Sequence, residues 1–189
     1  MIRCQWCEGD QLYIKYHDEE WGAPVHDESR HFEFLVLESA QAGLSWLTVL
    51  RKRENYRNAY GDFDPSTVAK YGPKKIKYLL QDNGIIRNRR KIEASVHNAR
   101  RFLEVQKEFG SFDAYLWRFV NNTPIVNSWK DVSEIPPRSP VSDEIAGDLK
   151  SRGFLFLGST IIYSYMQALG LVNDHIVKCF RYREVMNHH

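Results

Sequence analysis

Apolar residues along this chain recur mainly at helical spacing, and strict alternation of apolar and polar residues is rare. One apolar face extends from Ser29 or Arg30 to about Gln41, which predicts a helix over that stretch. Gly43 interrupts the pattern, and Ser45 is a good N-cap for a second helix. The pattern therefore predicts an all-α fold.

The same spacing, combined with proline, glycine and capping signals, predicts the remaining helices. They cover residues 45–60, a short stretch from 66, and about 73–81, 87–109, 143–152 and 160–169. A last helix, capped by Asn173 and Asp174, would carry His175 and Cys179. The stretch before residue 29 shows no clear amphipathic period and is expected to be irregular. The proline-rich residues 121–142 are expected to connect two lobes.

A length of 189 residues fits one domain, or two small lobes that share a core. Hydrophobic content of 43% and aromatic content of 13% supply enough apolar area for such a core. The net charge of +2 neither implies nor excludes a nucleic-acid partner, because a DNA-binding surface is a local patch. Three cysteines without regular spacing argue against a disulfide scaffold.

The first residues lack the long apolar core of a signal peptide, so we expect a cytoplasmic protein. Residues 154–172 are the most apolar stretch and approach the length of a membrane span. They contain polar side chains that lipid would penalise, namely Ser159, Thr160, Ser164 and Gln167. We therefore expect this stretch to be core and no membrane to be involved.

Cysteine and histidine residues near the two chain ends suggest a metal site. His175 and Cys179 are four residues apart and would project from one face of a helix. A tetrahedral site needs further ligands, and Cys4, Cys7 and His17 all lie at the opposite end of the chain. The spacing leaves open whether Cys7 or His17 completes the site. It also leaves open that these are ordinary buried residues.

The opening stretch is dense in aromatic residues, among them Trp6, Tyr13, Tyr16 and Trp21. Flat aromatic walls suit a base that has been turned out of a nucleic-acid stack, because stacking stabilises any π-face. An aromatic cluster that only packs internally is the alternative.

Glu38 stands within an apolar run, so its carboxylate is expected to face the core. Either local donors satisfy it, or it meets a ligand's amino group or positive charge. Trp46 could line the same cavity. The break at Gly43 and Leu44 places an aliphatic side chain at a tight turn, either as a wedge inserted into DNA or buried beneath a neighbouring loop.

Residues 74–92 predict a helix, a tight turn containing Gly84, and a second helix. We expect unpaired amides at this turn and a phosphate site beside the basic residues Arg87, Arg89, Arg90 and Lys91. A solvated basic face is the alternative. A second basic cluster covers residues 51–53.

Together these residues resemble the 3-methyladenine DNA glycosylase I family of the helix-hairpin-helix superfamily, and the match extends nearly end to end. Its most specific parts are Arg3-Cys4 with Trp6, Tyr16-His17-Asp18 with Glu20-Trp21-Gly22, Leu37-Glu38, Gln41-Ala42-Gly43-Leu44-Ser45-Trp46, Gly84-Ile85-Ile86-Arg87 and Gly170-Leu171-Val172-Asn173-Asp174-His175.

The resemblance implies a two-lobed, all-helical, monomeric enzyme. It would hydrolyse the N-glycosidic bond of 3-methyladenine in alkylated double-stranded DNA and leave an abasic site. The helix-hairpin-helix lobe would cover approximately residues 45–120, and the second lobe approximately 1–44 plus 140–189. One structural Zn²⁺ would join the chain ends in the second lobe. The zinc ligands implied by the family fall on Cys4, His17, His175 and Cys179, and Cys7 stays outside.

The resemblance also implies roles for the pocket and the DNA surface. The base-reading carboxylate falls on Glu38 and a hydrogen-bonding phenol on Tyr16. The substrate walls fall on Trp46, Trp6, Trp21 and Tyr13. The DNA contacts fall on Leu44 as wedge, and on Gly43, Gly84, Ile85, Arg87, Arg89 and Lys91. The chain departs from much of the superfamily in having one hairpin glycine, and in showing no counterpart of the superfamily's usual catalytic aspartate.

Two other functions remain compatible with the residues themselves. A zinc-dependent DNA-binding module without catalysis would use the same hairpin. A zinc hydrolase would need an open coordination position, which four protein ligands would not leave.

Overall fold

The computed structural model describes residues 1–188 of the chain. Within them the fold is built almost entirely of helices, in agreement with the predicted class. The α-helices are α1 Gln11–Glu19, α2 Glu28–Gln41, α3 Trp46–Leu50, α4 Arg53–Ala59, α5 Pro65–Val68, α6 Pro73–Leu79, α7 Arg89–Phe109, α8 Phe112–Trp117, α9 Pro140–Ser151, α10 Ser159–Ala168 and α11 Phe180–Glu184. Two short strands, β1 Ile125–Val126 and β2 Val172–Asn173, pair in parallel.

α2 is the central helix of the molecule. The Asp27 side chain caps it by accepting a hydrogen bond from the Arg30 amide at 2.9 Å. Every residue from His31 to Ala40 is buried, so the helix is enclosed on all sides. It packs against both α7 and α10. The predicted helix is confirmed, and it begins one residue before Ser29, at Glu28.

The expectation of an irregular opening stretch is wrong, because α1 lies within it. Asp10 caps α1 by accepting hydrogen bonds from the amides of Leu12 and Tyr13. The buried residues of α1 are Tyr16 and His17, both with polar tips. A helix that buries such side chains in place of aliphatic ones shows no clear hydrophobic period.

The predicted last helix carrying His175 and Cys179 is also wrong. Residues 174–179 form extended backbone and a turn, and Cys179 is the N-cap residue of α11. The preceding residues form β2, which pairs with β1 from the proline-rich connection. This segment is held by four hydrogen bonds to the Asp174 carboxylate rather than by helical backbone hydrogen bonds.

The predicted helix over residues 45–60 is divided. Ser45 caps α3 as expected, accepting a hydrogen bond from the Thr48 amide. The chain then turns at Arg51 and Lys52 before α4 begins. The apolar stretch 154–172 is core mainly within α10, where Ile162 and Met166 are fully buried. Before α10 the prediction is wrong for Leu155 and Phe156, which are 45% and 43% exposed. No helix within residues 1–188 is both long and apolar enough to cross a membrane.

Candidate functional site

Side chains from both ends of the chain meet in one buried cluster. The ligand atoms of Cys4, His17, His175 and Cys179 lie within 4.8 Å of one another. The Cys179 Sγ is 3.4 Å from His17 Nε2 and 3.6 Å from His175 Nδ1, and the Cys4 Sγ is 3.7 Å from His175 Nδ1. Although His175 and Cys179 do not share a helix, the turn between them brings both to the cluster. These four residues can hold a metal ion.

The surroundings of the cluster suit a metal. His17 Nδ1 lies 2.8 Å from the Asp18 carboxylate, and His175 Nε2 lies 2.9 Å from the Trp21 carbonyl. These partners orient each ring and leave its other nitrogen facing the sulfurs, as is usual for metal-bound histidine. Hydrogen bonding from the Cys4 thiol, then from the two imidazoles, holds the pKa of Cys179 far below its usual range, which favours the thiolate that metals bind.

Cys7 does not belong to this cluster. Its buried thiol donates a hydrogen bond to the Cys4 carbonyl at 3.1 Å, where it supports the short helical turn Gln5–Cys7. The spacing left open whether Cys7 or His17 completes the site, and the structure places His17 in the cluster.

A cavity of about 320 Å³ lies next to the cluster, between α1, the C-terminal half of α2, α3 and α10. Its walls are mainly aromatic. Trp6 lies 4.9 Å from Tyr13 and 5.0 Å from Trp21, and Tyr16 lies 5.5 Å from Trp46, measured between ring centroids. The lining residues are Trp6, Tyr13, Tyr16, Trp21, Glu38, Gln41, Trp46, Val132, Ile135, Ser164 and Gln167.

The cavity contains polar groups without partners. Glu38 is 4% exposed, and burial alone raises the pKa of its carboxyl to about 8. Burial, and next the charge of Glu38, raises the pKa of Tyr16. Neither Glu38 nor the Tyr16 hydroxyl has a hydrogen bond within residues 1–188, and the buried Nε1 of Trp46 lacks one there as well. Such groups are costly unless a ligand satisfies them.

The turn after α2 presents Leu44 to solvent. Gly43 has φ +81°, a conformation that favours glycine, and Leu44 is 38% exposed. The Gln41 side chain donates a hydrogen bond to the Leu44 carbonyl at 2.7 Å, and the Leu44 amide donates to the Gln41 carbonyl at 2.7 Å. The alternative in which a loop buries Leu44 is wrong. An exposed apolar side chain therefore stands on a braced turn beside the cavity.

The expectation of unpaired amides at the hairpin is wrong for three positions. The Gly84 amide donates to the Asp82 carboxylate at 2.7 Å, and the Ile85 amide donates to the Asp82 carbonyl. The Ile86 amide donates to the Tyr56 hydroxyl at 3.1 Å. The Ile85 side chain is buried, so any contact between Ile85 and DNA would be through its backbone.

The basic residues near the hairpin differ in availability. Arg87 and Arg89 are exposed, and Arg89 pairs with Glu93 on its own helix. Lys91 is not a free cation, because its ammonium donates hydrogen bonds to the carbonyls of Ala40 and Ala42. These internal hydrogen bonds of Lys91 were not predicted from the sequence.

The second basic cluster, residues 51–53, is not a free phosphate patch. Arg53 is buried and donates hydrogen bonds to Glu20 and Glu33. Arg51 pairs with Asp10 at 2.6 Å, and Lys52 donates to the Asn83 carbonyl at 2.8 Å. This cluster joins elements of the protein to one another.

Comparison with known proteins identifies the family of this chain. A family model described as methyladenine glycosylase matches residues 6–182. The chain belongs to the methyladenine glycosylase family.

Relatives in this family resemble the chain over almost all of its length. DNA-3-methyladenine glycosylase 1 of Escherichia coli (strain K12) is 50% identical over 96% of this chain and 97% of its own. DNA-3-methyladenine glycosylase of Haemophilus influenzae (strain ATCC 51907 / DSM 11121 / KW20 / Rd) is 46% identical over 94% and 96%. A variant of 3-methyladenine DNA glycosylase I solved in complex with 3-methyladenine has a TM-score of 0.92, is 36% identical, and is matched over 95% of this chain and 97% of its own.

In this member of the methyladenine glycosylase family, several cavity residues escaped the sequence analysis. Ser164 and Gln167 line the cavity from α10, and Val132 and Ile135 line it from the proline-rich connection. Two polar residues three apart in an apolar helix were a signal for a lined cavity, but they served only to argue against a membrane span.

The buried Asp174 holds these walls together. Its carboxylate accepts hydrogen bonds from Asn127, Trp129, Tyr163 and Gln167, at 2.6 to 2.8 Å. It thereby fixes the proline-rich connection against α10. No local pattern in the sequence distinguishes this role from that of a helix cap.

Proposed function

We propose that this protein hydrolyses the N-glycosidic bond of 3-methyladenine in alkylated double-stranded DNA, releasing the free base and leaving an abasic site. The observation that carries the proposal is the unpaired Glu38 carboxyl within an aromatic cavity, in a chain of the methyladenine glycosylase family. A relative solved in complex with 3-methyladenine supports this base as the ligand.

Methylation at N3 determines how much catalysis is needed. The methylated adenine is a cation while it is joined to the sugar, so it departs as a neutral base without being protonated. Water adds to C1′, the C1′–N9 bond breaks with its electron pair passing to the base, and the water loses a proton to solvent. The protein has to bind and hold the cationic base where this can occur.

The cavity distinguishes the cation by charge and by stacking. Because Glu38 has a raised pKa, the approach of a cationic base would favour its ionised form and create a charge pair. Glu38 accepts a hydrogen bond from the amino group of the lesion, and the Tyr16 hydroxyl donates one to a ring nitrogen. Trp46 and Trp6 stack on its charged face. Trp21 and Tyr13 complete the walls. Undamaged adenine lacks the charge and is bound more weakly.

The remaining residues that the sequence predicts to contact DNA are proposed to form one DNA-binding surface. Leu44, on the turn formed by Gly43, fills the gap left by the extruded base. Arg87 and Arg89 contact phosphates next to the hairpin turn at Gly84 and Ile85. The exposure of Leu44 and of both arginines supports this assignment.

We also propose that the Cys4, His17, His175 and Cys179 cluster holds one Zn²⁺. Two thiolates and two imidazoles are a common donor set for structural zinc, and the residues present fit it. When bound, the ion would supply a crosslink between the chain ends and no catalytic chemistry. Trp21, whose carbonyl contacts His175, and Trp6, which packs on His17, would be held in the cavity wall through this crosslink.

A two-lobed helix-hairpin-helix arrangement is proposed with the boundaries that the sequence suggests, approximately residues 45–120 and approximately 1–44 plus 140–189. α2 packs against α7 of the helix-hairpin-helix lobe and against α10 of the second lobe, which supports placing the cavity between the lobes. A monomeric state and a cytoplasmic location stay predictions.

Release of bases from alkylated duplex DNA tests the function. The protein is incubated with the DNA and the released bases are separated by chromatography. We expect free 3-methyladenine to appear in proportion to the protein added. A module that binds DNA without catalysis would retain DNA binding and release no base, and that outcome would overturn the proposal.

A further inference from the structure

Lys91 bridges two parts of the protein that the sequence keeps far apart. It lies in the first turn of α7, immediately after the hairpin. Its ammonium donates hydrogen bonds to the Ala40 carbonyl at 2.9 Å and to the Ala42 carbonyl at 2.6 Å. These carbonyls belong to the C-terminal end of α2, directly before Gly43.

The bridge supplies donors at a helix end that the following turn closes only in part. The last carbonyls of a helix have no partner within it, and they carry the negative end of the helix dipole. Ala42 ends α2, Gly43 turns the chain with φ +81°, and the Leu44 amide donates to the Gln41 carbonyl rather than to that of Ala40. The Lys91 ammonium supplies the missing donor, and burial against this end lowers the pKa of Lys91.

Both sides of the bridge lead to parts of the proposed site. On one side, the bonded carbonyls flank Gln41, which lines the cavity and braces the Leu44 turn. On the other side, the Lys91 amide donates to the Asn88 cap, and the hairpin turn is held by Lys52 through the Asn83 carbonyl. The hairpin and the wedge turn are thereby fixed to each other.

We infer that Lys91 is a positioning residue that sets the Leu44 wedge relative to the hairpin, acting through the turn at the end of α2 and without contacting a phosphate. The inference rests on the proposed function. DNA anchored at the hairpin would then meet the wedge at a fixed distance, so base extrusion would depend on this lysine. Binding of a free base in the cavity would not.

The first test compares Lys91→Met with Lys107→Met, the same change at an exposed position on the same helix. Single-turnover release of 3-methyladenine from methylated duplex should fall about tenfold in Lys91→Met, because the two hydrogen bonds are charge-assisted. Affinity for free 3-methyladenine, followed by tryptophan fluorescence, should stay within about twofold of the parent. Lys107→Met should match the parent in both assays.

The second test asks whether Lys91 acts through Leu44. In a Leu44→Ala background the further loss caused by Lys91→Met should be small, since the wedge that it positions is already gone. Equal losses with and without Leu44 would overturn the inference. If Lys91→Met does not fold, Lys91→Gln is used in its place, because its amide keeps a hydrogen-bond donor. It should lose less base release than Lys91→Met would, and the loss should again depend on Leu44.

The salt dependence of binding to undamaged duplex separates a positioning role from a phosphate contact. A phosphate contact by Lys91 predicts that Lys91→Met reduces the slope of log K against log salt by about 0.9. The positioning role predicts an unchanged slope, whereas Arg89→Ala should reduce it. Release by the parent protein serves as the reference. If the parent releases no base, the proposed function fails; if it does and Lys91→Met matches it, only the positioning role fails.

Discussion

Replacing Glu38 by Gln should make the protein more stable above neutral pH. Burial raises the pKa of Glu38 to about 8 from an ordinary value of 4.5. Since the folded state binds this proton more tightly than the unfolded chain, the stabilising effect of protonation is complete below pH 4.5. It is lost as the pH rises through 8. Gln keeps nearly the same shape and does not titrate.

The size of the effect follows from the two pKa values. Each pH unit between them lowers the free energy of unfolding by about 1.4 kcal/mol, so the whole window is on the order of 5 kcal/mol. At pH 7 the loss relative to low pH is about 3 kcal/mol. Glu38→Gln removes this loss, so its advantage over the parent should be small at pH 4.5 and should grow to several kcal/mol at pH 8.

Guanidinium unfolding of both proteins at pH 5, 7 and 8.5, with the same zinc supplement, measures the difference directly. Effects from other groups are shared by the two proteins and cancel. Glu144→Gln, at an exposed position, is the matched control and should follow the parent at every pH. Parallel pH profiles for the parent and Glu38→Gln would refute the reasoning, since they would mean that the Glu38 carboxyl is solvated or paired.

Three further predictions follow from the structure. Gly170→Ala should lower the free energy of unfolding by about 3 kcal/mol or more, because a Cβ at φ +70° would lie 2.3 Å from an Ala23 backbone atom. Gly110 has φ +86° with open space where a Cβ would lie, so Gly110→Ala should lower the free energy of unfolding by only about 1 kcal/mol. Equal losses for the two variants in chemical denaturation would contradict this. Trp46→Leu should weaken binding of free 3-methyladenine about tenfold by calorimetry, and unchanged affinity would exclude Trp46 as a stacking wall. Removing metal with a chelator should lower both the melting temperature and base release; a chelated protein that stays folded and fully active would rule out the crosslink.

The sequence predicts best those elements whose stability is local. α2, α7 and α10 are long or apolar enough for periodicity to locate them, and side-chain caps such as Asn88 at the start of α7 fix their ends. α1 was missed because it buries Tyr16 and His17 rather than aliphatic residues. Its cap, Asp10, was a usable signal.

The site depends more on contacts that no local pattern carries. The segment with His175 and Cys179 is not a helix, because Asp174 is bonded to two other parts of the chain, the proline-rich connection and α10. The four cluster residues nevertheless meet as the family resemblance implied. The hairpin amide of Gly84 is paired by Asp82, two residues earlier, in a local turn. The amide of Ile86 is paired by Tyr56, which no local pattern places beside it. Tertiary hydrogen bonds therefore decided the segment around His175 and the amide of Ile86.

Single-turnover excision by the parent and by Glu38→Gln, measured with undamaged-duplex binding in the same preparations, tests the central claim most directly. If an unpaired carboxyl in the aromatic cavity recognises the cationic base, Glu38→Gln should release 3-methyladenine much more slowly. Its affinity for undamaged DNA, and the salt dependence of that affinity, should be unchanged. Equal rates of release by the two proteins would contradict the account.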